Sequence, residues 1–389
     1  MPPTTTSPER KFPYLSVLAV SAGHFIHDTF SAFLAPLLPW LIEQFSLTYT
    51  EAGALTAFLQ APSALNPFIG YLSEGMGLRY FAALAPAFTA TGMVLLGLMP
   101  NYWALAGLLL VTGFSVAAFH ASAPALIAHL APRRTGRGMS FFMAGGELGR
   151  VVGPTLAVWA VGIWGLTGLP RLLVLGWGTS LVLFWQVRRI QVHIERHPIG
   201  ELWPILRKLA LPLTVLVLGR SMLLGALGTF LPTFLAETGL SKAQSGLAFA
   251  WLYEAFGVVG ALVVGSLSDK IGRRPVIVGA VLASGVAAAG FLLSQTAWRL
   301  VWLPLLGFSA LSFQPALMAL VQDYAPRHRA TANGTYLALS FLARPVAVLL
   351  VGFFADLWSL QWAFAMSAAA AVLALLALLG LPALPHAEV

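Results

Sequence analysis

Nine ionisable side chains stand in otherwise apolar surroundings: His24, His27, Asp28, His120, Glu147, Arg150, Arg220, Glu254 and Arg344. An unpaired charge in an apolar environment is costly, so each of these residues needs a reason. His24 and Asp28 are four apart and share a helix face, where a carboxylate beside an imidazole can hold or relay a proton. The bland alternative is a structural hydrogen bond between them. His27 lies about 100° round the helix from Asp28, which points it at a neighbouring helix. Glu147 and Arg150, in "FFMAGGELGRVVGP", are three apart and can pair on one face. If they only neutralise each other, they form a structural ion pair. His120 can bind a proton or a polar ligand, or simply bond a neighbouring backbone.

The elements that must carry these groups follow from composition. Of 389 residues, 58% are hydrophobic and only 9% are Asp, Glu, Lys or Arg, against roughly 25% charged in a soluble domain. Apolar stretches of about 20 residues recur, the length that crosses a bilayer core. The expected spans are 14–42, 50–72, 81–99, 102–130, 138–161, 170–187, 209–236, 244–267, 275–294, 299–323, 330–355 and 361–381, all helical because open strands leave backbone groups unpaired in lipid. A polar connection, 188–208, divides the chain into 1–187 and 209–389. The expectation is an all-α membrane protein of twelve transmembrane helices in two six-helix bundles.

Charge placement orients these spans. The net charge of +8 comes from loops. With both termini inside, sixteen Lys and Arg face the cytoplasm, three (Arg171, Lys242, Arg299) face outside, and Arg150, Arg220 and Arg344 lie within spans. That bias is the positive-inside pattern, and it explains the basic character without a nucleic-acid partner. The short polar N-terminus reads without a cleaved signal. There are no cysteines, so disulfides and thiolate metal sites are excluded. The histidines read as too scattered for a metal site, and no cofactor is expected. No phosphate loop, H-E-x-x-H or G-x-S-x-G is present, which points away from an enzyme and from ATP as the energy source.

The two halves repeat. "GYLSEGMGLRY" (70–80) matches "GSLSDKIGRRP" (265–275), and at an offset of 194 Phe119-His120 matches Phe313-Gln314, Glu43 matches Glu237, and Arg150 matches Arg344. Phe341 stands where Glu147 would repeat, so Arg344 needs another partner: Asp28, Glu254 or an anionic substrate. Arg220, early in its span, is expected to snorkel to the membrane surface. Glu254 is expected deeper, as a cavity carboxylate or as Arg344's partner. Trp251, Tyr253, Phe313 and Tyr336 are candidates to line a cavity, with packing or facing lipid the plainer expectation for each.

Parallel repeats of six helices are the major facilitator architecture, and the paired loops resemble that superfamily's G-x-x-x-D-x-x-G-R-R/K signature. The second copy (Gly265, Asp269, Gly272, Arg273, Arg274) matches in full. The first has Glu74 for the Asp and keeps only Arg79 of the two basic residues. The resemblance implies a cytoplasmic gate at Glu74, Arg79, Asp269, Arg273 and Arg274. "GRVVGP" (149–154) resembles the G-x-x-x-G-P motif of proton-driven exporters, with helix packing as the plainer reading. "HFIHDTF" and "FHASAPALIAHLAPRRTGRGMSFFMAGGELGRVVGP" are similar to the fosmidomycin-resistance group of bacterial efflux proteins. In that group F-H-P-E stands where this chain has Phe119, His120, Ala121 and Ser122.

The resemblance implies a multi-pass protein of a bacterial inner membrane that exports a small drug-like or anionic molecule by proton antiport, acting as a monomer. Asp28, His24, Glu147 and Glu254 are the expected proton carriers, and Arg150, Arg344 and His120 the expected substrate-binding groups. Proton-coupled uptake of an anionic metabolite, and a transporter-like lipid-handling or receptor protein, are the alternative readings.

Overall fold

The computed structural model describes residues 12–66, 68–69, 78–131, 134–188, 203–295, 297–324 and 329–382. Glu74 and most of the 188–208 connection lie outside them. The described residues are almost all helical, with short turns between helices and no strand among them. In chain order the helices are α1 (Tyr14–Phe45), α2 (Tyr49–Gln60, continuing as a 3-10 turn over Ala61–Leu65), α3 (Leu78–Val94), α4 (Tyr102–Leu130), α5 (Thr135–Trp164), α6 (Leu166–Val187), α7 (Leu209–Glu237), α8 (Lys242–Ile271), α9 (Arg273–Leu293), α10 (Ala297–Asp323), α11 (Arg329–Leu357) and α12 (Leu360–Leu373). Among the described residues nine helices are long and apolar enough to cross a membrane. The other expected spans coincide with α2, α3 and α5.

Local chemistry sets where helices begin. Thr48 and Glu51 form a capping box at the start of α2, and Ser241 and Gln244 form one at α8. Asn101 and Ser359 cap α4 and α12. These side chains satisfy amide donors that a first turn leaves unpaired. All four helices are even-numbered, so in an up–down array all four caps lie at one end of the molecule.

Within the first half α1 packs on α5, α3 on α4 and α3 on α6; within the second, α8 packs on α10, α9 on α10 and α7 on α11. Small residues make the α1–α5 contact possible. A Cβ on Gly145, Gly149 or Gly153 would run into the carbonyls of Ser21, Phe25 and Thr29 in turn. Glycines at four-residue spacing thus let one backbone lie along another.

The halves meet at the capped end. Glu43 of α1 pairs with Lys242 of α8. The hydroxyl of Tyr49 donates to Glu237 Oε1 (2.7 Å), and the amides of Tyr49 and Thr50 donate to the two carboxylate oxygens of Asp356 (2.7 and 2.8 Å). Asp356 therefore sits on the positive end of α2 from across the interface. Burial, and then the Glu237 carboxylate, push the Tyr49 phenol above its ordinary range, so it stays a donor.

At the opposite end, the full signature loop closes on its own half. Gly272 takes φ 96°, turning the chain between α8 and α9 where a side chain is disfavoured. Arg273 pairs with Asp269, donates to Ser268 Oγ (2.6 Å) and reaches Asp323 (3.4 Å). Arg274 donates to Tyr324 Oη and to the Pro382 carbonyl, both at 2.8 Å. Arg79, from the first loop, donates to Tyr80 Oη at 3.3 Å.

Candidate functional site

Two polar clusters lie side by side in the middle of the bundle. The first belongs to the N-terminal half. The i, i+4 spacing on α1 brings His24 Nε2 to 3.2 Å from Asp28 Oδ2. From α4, His120 Nε2 stands 3.5 Å from Asp28 Oδ1. His27 does meet a neighbouring helix, its ring stacking on Phe119 with centroids 4.2 Å apart. Its Nδ1 also donates to Asp28 at 2.9 Å, which corrects the expectation that it points away. Adjacent side chains on a helix can touch when one is as short as aspartate. His24 in turn stacks on Phe142 of α5 at 3.9 Å. His24, His27 and Asp28 are buried. Three histidines read from sequence as scattered are thus brought around one carboxylate. The donor atoms of His24, Asp28 and His120 all lie within 4.8 Å of one another.

The second cluster spans both halves. Arg150 Nη2 is 2.9 Å from Glu147 on its own helix and 3.3 Å from Glu254 on α8. Glu254 therefore pairs with Arg150 and not with Arg344, and the pair crosses the interface. Glu254 closes a π-helical stretch, Phe249–Glu254, and a second one, Ala226–Phe230, interrupts α7. Such bulges widen a helix locally and recur at functional sites.

Arg220 is not at the surface. It is only 6% exposed, donates to Gln314 Oε1 of α10 and lies over the Phe313 ring, 5.3 Å from its centroid. The expected snorkelling fails because α10 supplies an acceptor and an aromatic face inside the bundle, which replaces the hydration that a route to the surface would have provided. Arg344 of α11 is exposed, within electrostatic reach of Arg150, Arg220 and Glu254, and forms no ion pair among the described residues. Its guanidinium lies over Gly228, where an added Cβ would come within 3.3 Å of Nη2. Of the aromatic candidates, Tyr253, Phe313 and Tyr336 are buried and Trp251 is exposed.

Sequence reasoning missed Arg220 as a site residue. The repeat held the signal, since Gln314, its partner, occupies the position that matches His120.

What this arrangement can do is hold charge of both signs. Arg150, Arg220 and Arg344 face Glu147 and Glu254, an excess of one positive charge. Buried Nε donors of Arg150 and Arg220 have no acceptor. Those are the features of a seat for an anion.

The chain resembles known proteins over most of its length. The chain is 27% identical over 381 residues to the fosmidomycin resistance protein of Escherichia coli (strain K12), covering 94% of this chain and 92% of the relative. It superposes with TM-score 0.76 and 15% identity on a bacterial homologue of the human lysosomal transporter Spinster in an inward-facing, unoccupied conformation, covering 96% of each chain. A D-xylose–proton symporter gives TM-score 0.72 at 15% identity over 97% of this chain and 99% of that one. The family model of the Major Facilitator Superfamily matches residues 20–303 and 213–389. With the helical bundle and the apolar spans, these matches establish that the chain belongs to the Major Facilitator Superfamily and is an integral, multi-pass membrane transporter, not an enzyme.

Proposed function

We propose that the chain exports a small organic anion across a bacterial inner membrane by alternating access, driven by proton entry, with its termini and the 188–208 connection in the cytoplasm. The observation that carries this reading is the arginine excess between the halves: Arg344 without a carboxylate partner, beside Arg150 and Arg220 with unpaired Nε donors. An anion bridging Arg344 and Arg150 supplies the acceptors these groups lack. His120 stands at the edge of the same space, its side chain 35% exposed.

Of the groups expected to carry protons, Glu147 and Glu254 lie against the arginines and are proposed for that role. Protonation of Glu254 weakens its hold on Arg150, the central polar link across the interface, and frees Arg150 for the anion. Proton and substrate then compete for one guanidinium, which is the coupling that antiport needs. Residues 1–187 rock against 209–389 around this site. The relative named for fosmidomycin resistance makes fosmidomycin the first compound to test.

The test is uptake of labelled fosmidomycin into everted membrane vesicles bearing the protein, with an imposed pH gradient. The reading expects gradient-dependent accumulation that falls at least about tenfold in Arg344→Ala, since a charge-assisted contact is worth about 1.5–3 kcal/mol. Accumulation that ignores the gradient defeats the coupling. Unchanged transport of an anion in Arg344→Ala defeats the binding site, and accumulation only in right-side-out vesicles reverses the direction to uptake.

A further inference from the structure

The carboxylate of Asp28 is ringed by imidazoles, and the hydrogen bonds on their far sides decide what it faces. His24 Nδ1 lies 2.8 Å from the carbonyl oxygen of Phe142, and His120 Nδ1 lies 3.0 Å from that of Val116. A carbonyl oxygen only accepts, so Nδ1 carries the hydrogen in both rings. Each neutral ring then presents the lone pair of Nε2. Those two nitrogens are the atoms that stand 3.2 and 3.5 Å from Asp28. Two lone pairs and a carboxylate thus converge, and only a positive charge reconciles them. His24 Nε2 is buried without a hydrogen-bond partner.

We propose that this point is a binding site for a late first-row divalent cation of the Zn2+ class, with His24 Nε2, His120 Nε2 and an Asp28 oxygen as ligands. The dimensions fit. A tetrahedral ion with bonds of about 2.0–2.1 Å spaces its ligand atoms about 3.3–3.4 Å apart. Each nitrogen already stands at about that spacing from one carboxylate oxygen, His24 Nε2 from Oδ2 and His120 Nε2 from Oδ1, and one donor atom from each residue lies within 4.8 Å of the others, so small side-chain shifts close the set on one ion. Two imidazoles and one carboxylate favour Zn2+, Co2+ or Ni2+ over Mg2+ or Ca2+, which require oxygen ligands. The outer shell is also that of a metal site. Both ligating rings donate Nδ1–H to a backbone carbonyl, which fixes tautomer and direction, and His27 Nδ1–H holds the carboxylate at 2.9 Å as a positioning residue. Side-chain exposure is 5% at His24, 10% at Asp28 and 35% at His120. The ion therefore enters past His120, and its fourth position opens on that side.

The site stands on this geometry alone and does not depend on the direction or substrate of transport. A single proton quenches one lone pair, whereas a divalent cation engages both, and the experiment separates the two. Purified full-length protein without a histidine tag is titrated with Zn2+ by calorimetry and with Co2+ by visible absorption. The expected result is one ion per chain and the intense visible bands of a four-coordinate Co2+. Asp28→Asn, His24→Gln and His120→Gln each weaken binding by more than about tenfold, His27→Gln weakens it about tenfold, and His129→Gln leaves it unchanged. Wild-type protein with no saturable binding, or with the pale spectrum of six-coordinate Co2+, overturns the site and leaves the proton as its occupant. So does binding that survives His120→Gln, the substitution nearest the open edge and least disturbing to the fold. The wild-type spectrum decides the matter even where a buried variant does not fold.

Discussion

The side chains at the centre act through what they lack. Arg344 has the same place in the repeat as Arg150, yet Phe341 replaces the acid that would neutralise it. A guanidinium without a carboxylate keeps its electrostatic demand for a ligand. Arg344→Lys preserves charge but loses the planar fork. It is expected to keep part of the transport that Arg344→Ala loses, with the difference appearing in KM for the anion in the vesicle assay. The two acids are expected to differ as well. Glu254→Gln removes the central ion pair between the halves, while Glu147→Gln removes only a contact within α5. Glu254→Gln should therefore abolish the dependence of transport on the pH gradient, and Glu147→Gln should reduce it less. Equal effects would mean that the interface link has no special part in coupling.

The helices show why these residues can meet. Gly145, Gly149 and Gly153 let α5 lie against the α1 backbone, with Gly146 over the His24 ring, so both clusters share one close contact. Gly149→Leu is expected to destabilise the protein by about 1–3 kcal/mol through overpacking, read as a lower midpoint of thermal unfolding in detergent. Gly162, on the same helix with open space around it, is the control. Gly162→Ala should be neutral or slightly stabilising, since alanine is the better helix former. The "GRVVGP" run is thus packing in the first instance, as its plainer reading held, and its service to the site is indirect.

At the level of the whole molecule, the polar contacts between halves among the described residues, apart from Arg150–Glu254 at the centre, gather at one end. Glu43 with Lys242, Tyr49 with Glu237, and Asp356 on the start of α2 tie that end shut, while the Asp269–Arg273 pair closes within its own half. Among the described residues, the chain is therefore held together across the halves where the caps lie. Asp356→Ala removes an acceptor for two helix-terminal amides and is expected to favour opening at that end. The absence of native cysteines makes the measurement clean. A cysteine introduced by Gly228→Cys should react several-fold faster with a membrane-impermeant maleimide added from outside when Asp356→Ala is present. An unchanged rate would show that the contact is decorative.

The sequence by itself determined the architecture. Apolar length forces helices in lipid and the offset of 194 exposes the repeat, while the Lys and Arg bias gives the orientation that is proposed for them; those are one-dimensional properties, readable without neighbours. It also named nearly every residue of the centre, because a charge inside an apolar segment is conspicuous. Partnership was decided only by the tertiary structure. Arg150 reaches Glu254 across more than 100 positions, Arg220 finds Gln314 instead of the membrane surface, and three histidines from two helices surround Asp28. Spacing along a helix reports which residues share a face. It carries no information on the crossing of one helix over another, and that crossing places α8 against α5, α10 beneath Arg220, and His120 over Asp28.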